Sequence, residues 1–199
     1  MTIRIIFAGI LGGILMFIWT SIAHMFLPLG HIGIREMSNE SAVVDALHAN
    51  LGENRGLYVF PGLQAGPNPT REAKRAALRN MEEKLANNPS GLLIYHPHRP
   101  LNLPRLLGTE FATEVLEAIL VVFLLAQTRI DNFIGRVGFV FVAGILAAIA
   151  TNVSYWNWYG FPKRYTAAYM LIQIIGFFVV GIVGALILKK NTASGDAAG

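Results

Sequence analysis

Apolar residues in this chain come in long runs rather than in the short alternations of a soluble domain. The first run extends from Ile5 to Leu27 and contains no Asp, Glu, Lys or Arg. The second covers Leu106 to Gln127 and is interrupted by Glu110, Glu114 and Glu117. The third covers Phe133 to Tyr155, with Arg136 near its start, and the fourth Tyr165 to Leu188. Each is close to the ~20 residues an α-helix needs to cross a hydrocarbon core. The pattern predicts an all-α integral membrane protein, with four transmembrane helices in a bundle at 1–28, 106–128, 133–156 and 164–188. The first run is longer than the about 7–15 apolar residues of a signal peptide, and no A-x-A site follows it, so it is expected to remain as a span.

Between 29 and 105 the pattern changes. Ser38 or Ser41 is suited to cap a short helix through Ala42–Leu51. Gly56 to Phe60, followed by Pro61-Gly62, predicts a strand closed by a turn. Thr70 is placed to cap a helix running to about Ala86, with Ala73, Ala77, Met81 and Leu85 on one apolar stripe. Leu92 to Tyr95 predicts a second strand, expected to pair with the first under that helix. This segment is thus a small α+β extracytoplasmic domain inserted between helices 1 and 2. The small, polar end of the chain, 189–199, is expected to be a disordered cytoplasmic tail.

Composition strengthens the membrane reading. Only 14% of residues are charged, against about 25% in a soluble domain, too few to cover the chain in water. The lipid bilayer is therefore the first expected partner. The net charge of +4 is modest and the basic residues are scattered, which argues against nucleic acid. The absence of cysteine excludes disulfides, thiolate metal sites and thiol redox chemistry. Arg4, Arg129, Arg136, Lys189 and Lys190 fall on one side of the four-span topology, and only Lys163 and Arg164 in the short loop opposite. The positive-inside rule then predicts both termini on the cytoplasmic side, and the bacterial inner membrane is the expected location. Small residues recur at helix-packing spacing in Gly9/Gly13, Gly144/Ala148 and Gly181/Ala185. These faces serve packing within one subunit or a homodimer, while a membrane-protein partner is expected at the extracytoplasmic domain.

The chemistry concentrates on the second run. Glu110, Glu114 and Glu117 stand at i, i+4 and i+7 and share one helix face. The uninterrupted stretch Ala118–Ala126 makes only about 14 Å of helix, well short of the ~30 Å of hydrocarbon. The glutamates must therefore lie within the span, with Glu117 near mid-depth. An ionised carboxylate there costs several kcal/mol, so the face should turn toward the bundle interior or a wet cavity. The other spans put Ser21 and His24, then Asn152 and Tyr155, then Tyr169 and Gln173, into the same outer half. A ligand-binding or polar pocket is expected among His24, Glu110, Glu114, Glu117, Asn152, Tyr155, Tyr169 and Gln173, opening under the extracytoplasmic domain.

Three readings of that pocket stay open. The glutamates bond to His24, Asn152, Tyr155 or Tyr169 and hold the helices in register. Or they bind or transport a cation, a proton or a small polar ligand. Or His24 with Glu114 or Glu117, joined by His96 or His98, holds zinc, iron or manganese. No motif names a cofactor, and the nucleophile-elbow, zincin, Walker and dinucleotide signatures are absent. Trp19, Trp156 and Trp158 suit interfacial anchoring, and 155–162 is expected to form an aromatic hairpin. The function expected on these grounds is a non-catalytic accessory or interaction subunit. The alternatives are a transporter-like or cation-binding protein using the glutamate face, and a metal-dependent membrane enzyme.

Overall fold

A computed structural model of the protein describes residues 2–188. The predicted tail, with Lys189 and Lys190, lies outside the described residues. The chain is mostly helical. Its elements are α1 (Thr2–Met25), α2 (Glu40–Leu51), β1 (Gly56–Phe60), α3 (Arg71–Asn87), β2 (Gly91–Tyr95), α4 (Leu103–Ala126), α5 (Phe133–Tyr159) and α6 (Lys163–Ile187). They divide into two compact units, one of residues 35–101 and the other of the chain before and after it.

The larger unit contains α1, α4, α5 and α6. Three of these, α1, α5 and α6, are long and apolar enough to cross a membrane, which points to a membrane-embedded protein. The predicted second span, α4, does not qualify by composition, because any 18-residue stretch of it contains all three glutamates. Local chemistry sets the helix ends. Asn102 caps α4 by accepting from Arg105 N–H at 3.0 Å, and Asn132 caps α5 by accepting from Gly135 N–H at 2.6 Å. The aromatic run Tyr155–Tyr159 is not a hairpin, as expected from its composition, but the last turn of α5. The helix stops one residue later, where Gly160 adopts a left-handed φ of 69° that only glycine takes cheaply.

Close approach holds the bundle together. The α1 helix packs on α4 and on α6, α5 packs on α6, and α4 makes little contact with α5 or α6. The neighbours run antiparallel: Gly9 meets Ile119 and Gly13 meets Val115 on α4, while Gly12 meets Val180 on α6. On the far side Gly144 meets Phe177, and Gly181 meets Val137 and Val140. The three small-residue faces are thus occupied within the one chain. They close a core of Ala8, Met16, Val122, Val140, Phe177 and Val180 in the half of the bundle near the start of α1. Trp19 takes part as well. Its Nε1–H donates to the Ile172 carbonyl at 2.8 Å, so it ties α1 to α6.

The smaller unit has little core. The two strands pair as expected, antiparallel and with Leu57 opposite Ile94. Thr70 caps α3 by accepting from Ala73 N–H at 3.1 Å. The N-cap of α2 is Asn39 and makes no side-chain cap bond, whereas Ser38 or Ser41 was expected there. No residue of α3 is fully buried, and of its predicted stripe Ala77 and Met81 are half-buried, since an alanine-rich stripe offers little area to bury. Tyr95 is the buried residue of this unit among those described, and its hydroxyl donates to the Gly52 carbonyl at 2.9 Å.

Candidate functional site

The polar residues that the sequence scatters over four helices meet in one cleft of about 500 Å³. Antiparallel packing brings this about, because the C-terminal halves of α1 and α5 lie beside the N-terminal halves of α4 and α6. From α1 come Thr20, Ser21 and His24, and from α4 Glu110, Thr113, Glu114 and Glu117. The α5 helix adds Thr151 and Asn152, and α6 adds Tyr169 and Gln173. Of the predicted pocket residues only Tyr155 stays out. It lies one turn beyond Asn152 and is 48% exposed, with its ring against Tyr159 and Phe161 at centroid distances of 5.9 and 5.5 Å.

The glutamates differ in setting. Glu110 is exposed at the mouth and Glu117 is half-buried. Glu114, only 4% exposed, forms the floor. Thr20 faces the Glu114 carboxyl from α1, but its Oε2 is fully buried and has no hydrogen-bond partner among the described residues. An orphaned buried acceptor costs about 1–3 kcal/mol. The sequence singles out Glu117 as the deepest carboxylate. Packing selects Glu114 instead, because its neighbour Val115 is the residue pressed against Gly13.

The other polar groups have partners of their own. His24 Nδ1 lies 2.9 Å from the Thr20 carbonyl. A carbonyl only accepts, so Nδ1 carries the proton, and Nε2 is the acceptor when the ring is neutral. Gly30 packs against the His24 ring, where a Cβ would come within 2.5 Å of Cδ2. On its other side His24 meets Tyr169 edge-on at 5.7 Å, and Tyr169 stacks on Tyr165 at 4.3 Å. Asn152 Nδ2 donates to the Ala148 carbonyl at 3.0 Å and to Gln173 Oε1 at 3.4 Å. Among the described residues, none of the three carboxylates hydrogen-bonds to His24, Asn152, Tyr155 or Tyr169.

The walls carry residues that the sequence did not single out. Met16, Phe17 and Ile172 line the interior, and Leu106 and Leu107 the mouth. Thr20 was also missed, although its place one turn before His24 puts it on the same helix face. Among the described residues, no lysine or arginine lines the cleft, and no group of three or more His, Cys, Asp or Glu is placed to hold a metal ion. His98 approaches Glu53 at 3.7 Å, with both side chains largely exposed. A second cavity of about 480 Å³ at the opposite end of the bundle has the reverse character and is lined by Arg4, Asp131 and Arg136. There Arg136 Nε–H donates to the Ile130 carbonyl at 2.8 Å. The chain matches no family model, no curated protein and no solved structure.

Proposed function

We propose that the protein spans the membrane four times and binds a small positively charged solute in the acidic cleft. The observation that carries this reading is the Glu114 carboxyl, buried with an unpartnered oxygen in a cleft that no lysine or arginine lines among the described residues. Three carboxylates in one low-dielectric cleft repel one another, and a cation is the complement they lack. A purely structural role for the glutamates is less well supported, since among the described residues none of them bonds to His24, Asn152, Tyr155 or Tyr169, and Thr20 engages the Glu114 carboxyl while leaving Oε2 unpartnered. A non-catalytic accessory role gives Glu114 no task.

Packing supports α4 as the fourth span. Gly13, against which Val115 rests, is close to the middle of the apolar stretch Ile3–Met25. If α1 crosses the bilayer, Glu114 and Val115 are therefore near its midplane, whatever the composition of α4. The outward face of α4 is apolar, with Leu116, Leu120, Phe123 and Leu124 exposed, as a lipid-facing surface should be. Arg4, Arg129 and Arg136 gather at the end opposite the cleft. By the positive-inside rule that end is cytoplasmic and residues 35–101 are extracytoplasmic.

The test is calorimetric titration of the full chain in lipid nanodiscs with the chlorides of sodium, magnesium, zinc, tetramethylammonium and tetraphenylphosphonium. At least one cation should bind, and Glu114→Gln should weaken it about tenfold or more, the scale of a lost buried charge interaction. Glu83→Gln, on the exposed α3, should leave binding unchanged. If no cation binds, or if Glu114→Gln binds as well as the wild type, the proposal is wrong.

A further inference from the structure

We infer that the ligand is a hydrophobic organic cation, an amine or onium ion with alkyl or aromatic substituents, rather than a metal ion. The inference rests on the cation-binding reading above and narrows its ligand class. Three features of the cleft carry it.

The first is the spacing of the acids. Glu110, Glu114 and Glu117 are spread along one helix, and successive turns place Glu110 and Glu114 about 6 Å apart along the axis. They form separate anchors instead of a cage, and among the described residues no group of three or more ligating side chains is placed for a metal. A dehydrated metal ion needs several donors at once, whereas one onium charge needs a single carboxylate.

The second feature is size. The cleft measures about 500 Å³. A water molecule occupies about 30 Å³, and clefts for organic ligands run from about 300 to 1,000 Å³. A bare ion would leave most of this space to water against apolar walls.

The third feature is the walls themselves. Met16, Phe17 and Ile172 line the same cleft as Glu114 with methylene and ring surface. Tyr169 offers a ring whose position is fixed on one side by His24 and on the other by Tyr165. Aromatic and apolar walls around carboxylates attract an onium ion through its charge and through its apolar substituents. A hydrated inorganic ion gains nothing from either.

The same nanodisc titrations test the inference, with empty nanodiscs subtracted to remove partition into lipid. Tetraphenylphosphonium should bind about tenfold or more tightly than tetramethylammonium, and sodium, magnesium and zinc should not compete with it. Tyr169→Ala should weaken tetraphenylphosphonium binding about fivefold, and Tyr169→Phe, which keeps the ring, should restore it. The comparison of the two onium ions uses the wild-type chain alone, so the test stands even if Tyr169→Ala fails to fold. If an inorganic cation binds through Glu114 and tetraphenylphosphonium does not, this inference fails while the acidic-cleft reading survives. If no cation binds through Glu114, both fall. Tetraphenylphosphonium binding that ignores Tyr169→Ala also overturns the inference.

Discussion

The contact between α1 and α4 positions Glu114, and it depends on Gly13 having no side chain. A Cβ built at Gly13 falls 2.5 Å from Val115 Cα and 3.0 Å from Val115 N. Carbon atoms in ordinary contact sit about 3.5–4.0 Å apart, so Gly13→Ala forces the helices apart by about 1 Å. The obstructing atoms are backbone, and no rotamer change relieves them. Overpacking of this kind costs about 1–3 kcal/mol. Alanine in place of glycine also returns about 0.5–1 kcal/mol of helix propensity, which would hide part of the effect. Gly138→Ala supplies the matched reference, because Gly138 is inside α5 and a Cβ there meets nothing within 4 Å. The difference between the two variants therefore isolates packing and should be about 1–3 kcal/mol. Reversible unfolding in mixed micelles, followed by circular dichroism, measures it. Because Val115 adjoins Glu114, Gly13→Ala should weaken ligand binding as well. Equal stabilities for the two variants would show that the close approach does not hold α4 in place.

Four further outcomes are expected. Glu114→Leu removes an orphaned buried oxygen, so it should raise stability by about 1–3 kcal/mol while abolishing cation binding, a pairing that unfolding and titration of one preparation would detect. Trp19→Phe removes the bond to the Ile172 carbonyl and should cost about 0.6–2 kcal/mol in the same unfolding assay. Tyr95→Phe removes the bond to Gly52 and should cost about 0.5–1.5 kcal/mol, seen as faster amide exchange in β1 and β2. The chain has no cysteine, so a single one reports topology without background. If α4 crosses the membrane, a membrane-impermeant maleimide added to intact cells should label Asn54→Cys and not Gln127→Cys; labelling of both would place the two ends of α4 on the same side.

Much of the architecture was legible because local rules govern it. Long apolar runs announced α1, α5 and α6, and the apolar segments bounded by turn residues announced the two strands that pair. Thr70 announced the start of α3. The misread elements were those where a tertiary or backbone term prevailed. Tyr155–Tyr159 was taken for a hairpin because aromatics favour interfaces, but only Gly160 has the backbone freedom to end the helix. The stripe on α3 is at most half-buried, because alanine offers little area to bury. The bond from Trp19 to the Ile172 carbonyl could not be foreseen, because nothing local reveals a carbonyl on a helix far along the chain.

The candidate site divides in the same way. The spacing of Glu110, Glu114 and Glu117 follows from helical geometry alone, as does the conclusion that their face must turn inward. Their inequality does not. Which carboxylate is buried depends on where α1 comes closest, and that point is set by glycines about a hundred positions away along the chain. The gathering of His24, Asn152, Tyr169 and Gln173 around them likewise depends on antiparallel register between helices, and the exclusion of Tyr155 on how α5 ends. The sequence determined the elements and the polarity of each face, because both depend on residues a few positions apart. Only the tertiary structure decided which faces meet, because register is set by close contacts between residues that are neighbours in space and not in the chain.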